Sequence, residues 1–146
     1  MSDLLPDALI DHCLGTNRIP ELFRSKGFKT TTVFDEFGRE DALDLEILEL
    51  AGRKQLLFVT KDSNIRKNRI EREAVFRNNV RLLCLVHQNM RFSDMAAVFT
   101  KHMRGIVRYS QRPGPWFVIV SESQLKDITE EMRKRRVEVC SNSDSF

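Results

Sequence analysis

The sequence predicts an α/β fold of three layers, α/β/α, around a mostly parallel sheet of about five strands. Two observations carry this. Leu56 to Thr60 and Arg81 to Val86 are short, nearly unbroken apolar runs, the pattern of strands covered on both faces. Between such runs lie segments of helical length, with apolar residues three and four apart and glycine or proline near their ends. Strand and helix therefore alternate along the chain.

In order, Ala8 to Asp11 reads as a first strand. Pro20 to Lys26 reads as a helix whose proline suits a first turn and whose Gly27 suits the C-terminal cap. Lys29 to Phe34, rich in threonine and valine, is the second strand. Asp35 to Glu40 reads as a loop. Asp41 then caps a helix from Ala42 to Ala51, with Leu43, Ile47 and Leu50 on its apolar face, ending at Gly52.

The third strand, Leu56 to Thr60, leads through a polar turn into a helix from Ile65 to Arg77, and Arg81 to Val86 is the fourth strand. Phe92, Met95, Ala96, Phe99 and Met103 recur at helical spacing and read as the core stripe of an amphipathic helix. Arg112-Pro113-Gly114-Pro115 is a rigid turn before the fifth strand, Trp116 to Val120, and Gln124 to Arg135 reads as a last helix. Right-handed crossovers make such an order a parallel sheet.

A chain of 146 residues can take roughly two thirds of its unfolded surface out of water. Residues 1–136 read as a single domain and 137–146 as a flexible C-terminal tail. Met1-Ser2-Asp3 lacks the basic start of a secretory signal, and runs such as Leu82-Leu83-Cys84-Leu85-Val86 are too short to span a bilayer. A cytoplasmic protein with no membrane association is expected. Cys13, Cys84 and Cys140 are odd in number and far apart, which argues against a disulfide framework and a zinc site. Residues 1–51 carry 11 acidic and 5 basic side chains, a balance of −6, and the remainder 10 acidic and 19 basic, a balance of +9. That asymmetry fits a pair of solvated faces, and it also fits an acid-lined metal site beside a cationic surface that grips a polyanion.

Three aspartates stand where buried elements end or begin: Asp11 after Ala8-Leu9-Ile10, Asp44 in the first turn of a helix, and Asp62 just past the third strand. The carboxyl ends of parallel strands gather at one rim, and right-handed crossovers bring strands one and three close. Separations of 33 and 18 residues therefore do not prevent a shared site. Two carboxylates about 4 Å apart, at an effective dielectric of about 20, repel by roughly 4 kcal/mol, which a bound cation can reverse. Oxygen donors without nearby thiolates select Mg²⁺ or Mn²⁺. Ordinary readings exist as well: Asp44 favours a positive helix N-terminus, and Asp62 suits an Asx turn or cap. Asp11 is harder to dismiss, because a carboxylate after an apolar strand is partly buried and costly to leave unpaired.

Leu9-Ile10-Asp11 with Leu14, Asp44-Leu45-Glu46-Ile47-Leu48-Glu49-Leu50-Ala51, and Phe58-Val59-Thr60-Lys61-Asp62 together resemble the compact PIN-like nucleases, relatives of the toxin ribonucleases of bacterial toxin–antitoxin pairs. The motif-bearing part covers residues 8–86, and Pro113-Gly114-Pro115-Trp116-Phe117 is similar to one branch of these proteins. The resemblance implies a PIN-like fold, a catalytic Mg²⁺ or Mn²⁺ site formed by Asp11, Asp44 and Asp62, cleavage of RNA, an antitoxin partner and a homodimer. Two departures stand out. Larger PIN nucleases commonly have a fourth acid, for which Glu46 and Asp41 are the nearest candidates. Many compact relatives carry a second aspartate two places after the one matching Asp62, where this chain has Asn64, whose carbonyl can ligate or orient water.

Hydrolysis of a phosphodiester requires an activated water in line with the leaving oxygen, and a cation lowers the pKa of that water while stabilising charge on the phosphoryl group. Asp11 and Asp62 are the expected direct ligands, Asp44 a third, directly or through water, and Thr60 a supporting hydroxyl at the rim. Substrate grip falls to Arg18, Lys61, Arg66, Lys67 and Arg69, with Arg72 in the same stretch; Arg66, Arg69 and Arg77 share one side of a helix, opposite Ile70 or Ala74. The ordinary alternative pairs Arg69 and Arg72 with Glu71 or Glu73 at the surface. Arg133-Lys134-Arg135-Arg136 reads as a solvated helix end. His12, His87 and His102 have neither ligand spacing nor a triad partner.

Two other readings use the same residues. A receiver-type signalling domain also gathers acids and a lysine at the rim, but it needs an adjacent acidic pair where Asp11 is followed by His12. A catalytically degenerate PIN-like module would bind RNA or protein without cutting, a reading motivated by Asn64 and the unplaced fourth acid.

Overall fold

A computed structural model describes residues 5–39, 41–86 and 89–135. The N-terminal Met1-Ser2-Asp3, His87, Arg136, Cys140 and the tail 137–146 lie outside the described residues. Six strands form one sheet: β1 (Ala8–Ile10), β2 (Thr30–Thr32), β3 (Leu57–Thr60), β4 (Arg81–Leu85), β5 (Trp116–Val120) and β6 (Leu125–Asp127), in the order β2-β1-β3-β4-β5-β6. The first five are parallel, and β6 returns antiparallel to β5. The helices are α1 (Arg18–Ser25), α2 (Val33–Phe37), α3 (Asp44–Arg53), α4 (Asn64–Lys67), α5 (Arg69–Arg77), α6 (Phe92–Lys101) and α7 (Met103–Ser110), and residues 129–135 are also helical.

The period of two along each strand sends neighbouring side chains to opposite faces. Ala8, Ile10, Val59 and Leu83 pack against Phe23 of α1, Met95 and Phe99 of α6 and Ile106 of α7. Leu9, Phe58, Leu82 and Phe117 pack against Ile47 and Leu48 of α3, Val75 and Phe76 of α5, and Met132. Two apolar layers on one sheet give the expected α/β/α sandwich, and each fully buried side chain of this kind contributes about 2 kcal/mol. Among the described residues no helix is long and apolar enough to cross a membrane.

Where the structure departs from the sequence reading, local hydrogen bonds decide. The expected loop at Asp35 is part of α2, because the Thr32 hydroxyl accepts the Asp35 N–H at 3.1 Å and caps the turn. The expected helix from Ile65 to Arg77 breaks at Asn68, whose side chain accepts the N–H groups of Ile70 and Glu71 at 2.9 and 3.1 Å. Arg72 seals the break by donating to the Arg66 carbonyl at 2.9 Å. Arg66 is thereby parted from Arg69 and Arg77, and Ile70 is 62% exposed while Ala74 is buried. Leu43 precedes α3, is 68% exposed and takes no part in its apolar face. The expected last helix begins later: Leu125 to Asp127 form β6, and the Asp127 carboxylate then accepts the Thr129 N–H at 2.9 Å.

Candidate active site

Asp11 leaves β1 at the carboxyl rim and is 3% exposed. Its backbone N–H continues the ladder to the Val59 carbonyl at 2.9 Å, which places it beside the end of β3. One carboxylate oxygen, Oδ1, accepts the His12 N–H at 2.9 Å and starts a turn over His12–Leu14. The other, Oδ2, accepts the Thr60 hydroxyl at 2.7 Å. The exposed His12 ring stands at the rim with Nδ1 3.2 Å from Asp11 Oδ1.

Thr60 joins two of the acids. While donating to Asp11, its Oγ1 accepts the Asp62 N–H at 3.0 Å. Asp62 in turn uses Oδ1 to accept the Asn64 N–H at 2.9 Å, which starts α4. The turn role expected of Asp62 is thus present. The Cys13 thiol lies 3.7 Å from Thr60 Oγ1, and the Cys84 thiol donates to the Asp62 carbonyl at 3.9 Å. Burial, then the charge of Asp11, pushes the Cys13 thiol up to about 12; burial pushes the Cys84 thiol up to about 11. Neutral thiols beside carboxylates leave the anionic donors here to oxygen.

Asp44 enters from the other layer, at the first position of α3. Opposite it stands a residue the sequence reading did not place, Glu71 in the first turn of α5. Both occupy helix N-termini, which favour negative charge. Burial first, then the Asp44 carboxyl, then the charge of Asp62 raise the Glu71 pKa to about 7. Its Oε2 is buried with no hydrogen-bond partner among the described residues. A signal for Glu71 exists in the sequence: Asn68 is a good cap, and the third residue after a cap is a favoured place for Glu.

The other expected residues separate into two groups. Glu46 and Asp41 form a surface network with Arg39, Glu46 at 2.7 Å and Asp41 at 3.2 Å, and Glu46 also accepts the Leu43 N–H at 3.0 Å. Asn64, Lys67 and Arg69 are exposed on α4 and α5 just beyond Asp62, Lys61 is half-buried, and Arg18 is exposed at the start of α1. Arg66 is half-buried, and its guanidinium faces the Cys84 thiol. Its Nε is buried without a partner among the described residues.

Comparison with known proteins decides the family. The model of the PIN like domain family matches residues 6–87, a span that includes Asp11, Asp44, Asp62 and Glu71. The chain belongs to the PIN-like domain family. It is also 28% identical over 124 residues, 83% of this chain and 90% of the other, to a protein of Mycobacterium tuberculosis strain H37Rv whose name provisionally assigns it as the ribonuclease VapC45. No solved structure matches the chain.

Among the described residues, no three acidic, histidine or cysteine side chains already stand close enough together to form a metal cage. The donor chemistry of this PIN-like chain nevertheless fits a hard divalent cation. Glu71 is under strain from burial, the Asp44 carboxyl and the charge of Asp62, and one of its oxygens is buried without a hydrogen-bond partner among the described residues; a cation would relieve both conditions.

Proposed function

We propose that the chain is a divalent-cation-dependent endoribonuclease, hydrolysing RNA phosphodiester bonds at Asp11, Asp44 and Asp62 with Mg²⁺ or Mn²⁺. In this reading it is the toxin of a toxin–antitoxin pair. The observation that carries it is the crowding of Glu71 by Asp44 and Asp62 inside the stretch that matches the PIN-like family. The similarity to a protein named as a ribonuclease supports the choice of RNA. Membership of the PIN-like family leaves the receiver-type alternative without support.

Asp11, Asp44 and Asp62 would hold the cation, which when bound supplies a lower pKa for the attacking water and stabilises charge on the phosphoryl oxygens. Asp11 is the fixed member, buried and with one hydrogen bond to each oxygen. Asp62 has Oδ1 committed to Asn64, so its second oxygen would be the one to take the cation. Arg66, with a buried Nε that has no partner among the described residues, and Lys61 hold the scissile phosphate, and Arg18, Lys67 and Arg69 hold its neighbours.

The test is cleavage of a labelled RNA by purified protein in Mg²⁺, in Mn²⁺ and in EDTA. Cleavage is expected only with the cations and is abolished by Asp11→Ala and by Asp62→Ala. Undiminished cleavage by both variants sinks the site. Tight Mn²⁺ binding in calorimetry separates an active centre from a module that binds RNA without cutting it.

A further inference from the structure

A cleft opens one turn from Asp11. It has a volume of about 480 Å³ and is lined by Gly15, Asn17, Arg18, Arg91, Phe92 and Ser93, among others. The backbone ties it to the acids: the Leu14 N–H donates to the Asp11 carbonyl at 3.0 Å and the Gly15 N–H to the His12 carbonyl at 2.9 Å. Phe92, expected in the core, is 48% exposed at the start of α6. Its ring edge rests on Gly15, where an added Cβ would lie 3.2 Å from Phe92 Cε1 and Cζ. Gly15 has φ +82°, a conformation other residues rarely adopt, and its lack of a side chain lets the ring lie close.

Neither arginine of the cleft is spent on a carboxylate. Arg18 and Arg91 are both exposed and have no ion pair among the described residues, and no acid lines the cleft. A half-exposed aromatic ring and two arginines lining one cleft, with neutral polar side chains beside them, is the chemistry that accepts an unpaired base with its flanking phosphates.

We propose that this cleft is a nucleotide subsite of the RNA-binding surface, with Phe92 stacking on a base while Arg18 and Arg91 hold the phosphates on either side. The proposal rests on the ribonuclease reading and adds where the strand lies after it leaves Asp11. A base on Phe92 fixes the register of the chain, so the position of the cut follows from the distance between this ring and the acids. Arg91 and Phe92 then belong to substrate recognition together with Arg18.

The test uses the full chain in EDTA, so that no cutting occurs, and single-stranded RNA octamers carrying 2-aminopurine at each position in turn. In the wild type, emission changes on binding at one favoured position, and Phe92→Trp keeps that response. Phe92→Leu, at an exposed site that leaves the fold intact, loses the response and binds about tenfold more weakly. Arg91→Gln lowers the slope of log affinity against log salt by about 0.7. RNA binding by the wild type with both variants unchanged overturns the subsite alone. No RNA binding by the wild type overturns the ribonuclease reading and the subsite with it.

Discussion

Glu71, in the first turn of α5, meets Asp44, in the first turn of α3, and burial first, then the Asp44 carboxyl, then the charge of Asp62 raise its pKa to about 7. The folded chain therefore binds this proton more tightly than the unfolded chain. The stability it contributes is fully present below the ordinary pKa of 4.5 and is lost as pH rises through about 7.

Glu71→Gln removes that loss. In EDTA the variant is expected to melt higher than the wild type at pH 8, by an amount on the order of 1 kcal/mol after discounting for solvent screening, with little difference at pH 5. Thermal melts at the two pH values check it. A variant melting below the wild type at pH 8 would mean that Glu71 is stabilised as an anion in the free protein.

Thr60 carries two bonds with one hydroxyl, to Asp11 Oδ2 at 2.7 Å and from the Asp62 N–H at 3.0 Å. It is fully buried, so Thr60→Val leaves a carboxylate oxygen and an amide without partners. The expected cost is about 2–3 kcal/mol by urea unfolding, together with a fall in RNA cleavage as Asp11 loses its orientation. Thr60→Ser restores both. Equal unfolding curves for Val and Thr would show that water satisfies these groups.

Much of the frame was legible in the sequence because it is written in apolar pattern. Trp116 to Val120 matches β5 residue for residue, and the runs ending before Asp11 and Asp62 are strands that end at one rim. The departures come from residues whose role depends on a partner distant in sequence or on a single cap. Thr32 and Asn68 each start a helix through one side-chain oxygen, which apolar pattern does not register. Leu125 becomes strand only because β5 offers a free edge. Glu71, in Arg69-Ile70-Glu71-Arg72-Glu73, reads as one more charge on a solvated helix. The Asn68 cap accounts for a Glu at this place, but the meeting of Glu71 with Asp44 shows only once α3 packs beside α5.

Glu46 offers a direct comparison. The Arg39 guanidinium, which bonds it at 2.9 and 2.7 Å, holds its carboxyl below the usual range. Glu46→Gln and Asp41→Asn should leave Mn²⁺ affinity in calorimetry and RNA cleavage unchanged, while Glu71→Gln and Asp11→Asn weaken Mn²⁺ binding severalfold or more. A loss on Glu46→Gln as large as that on Asp11→Asn would return Glu46 to the site.

The thiols report on the charge of Asp11 without any substrate. With both pKa values raised, to about 12 and about 11, very little of either thiol at pH 8 is thiolate, the form that reacts with iodoacetamide. Both should be alkylated far more slowly in the folded protein than after unfolding in urea. The causes then separate the two. The charge of Asp11 is the second largest influence on Cys13 and the smallest on Cys84. Asp11→Asn should therefore speed alkylation of Cys13 severalfold and that of Cys84 much less, as followed by mass spectrometry of the two peptides. Equal acceleration at both would point to general loosening of the rim rather than to the removal of one negative charge.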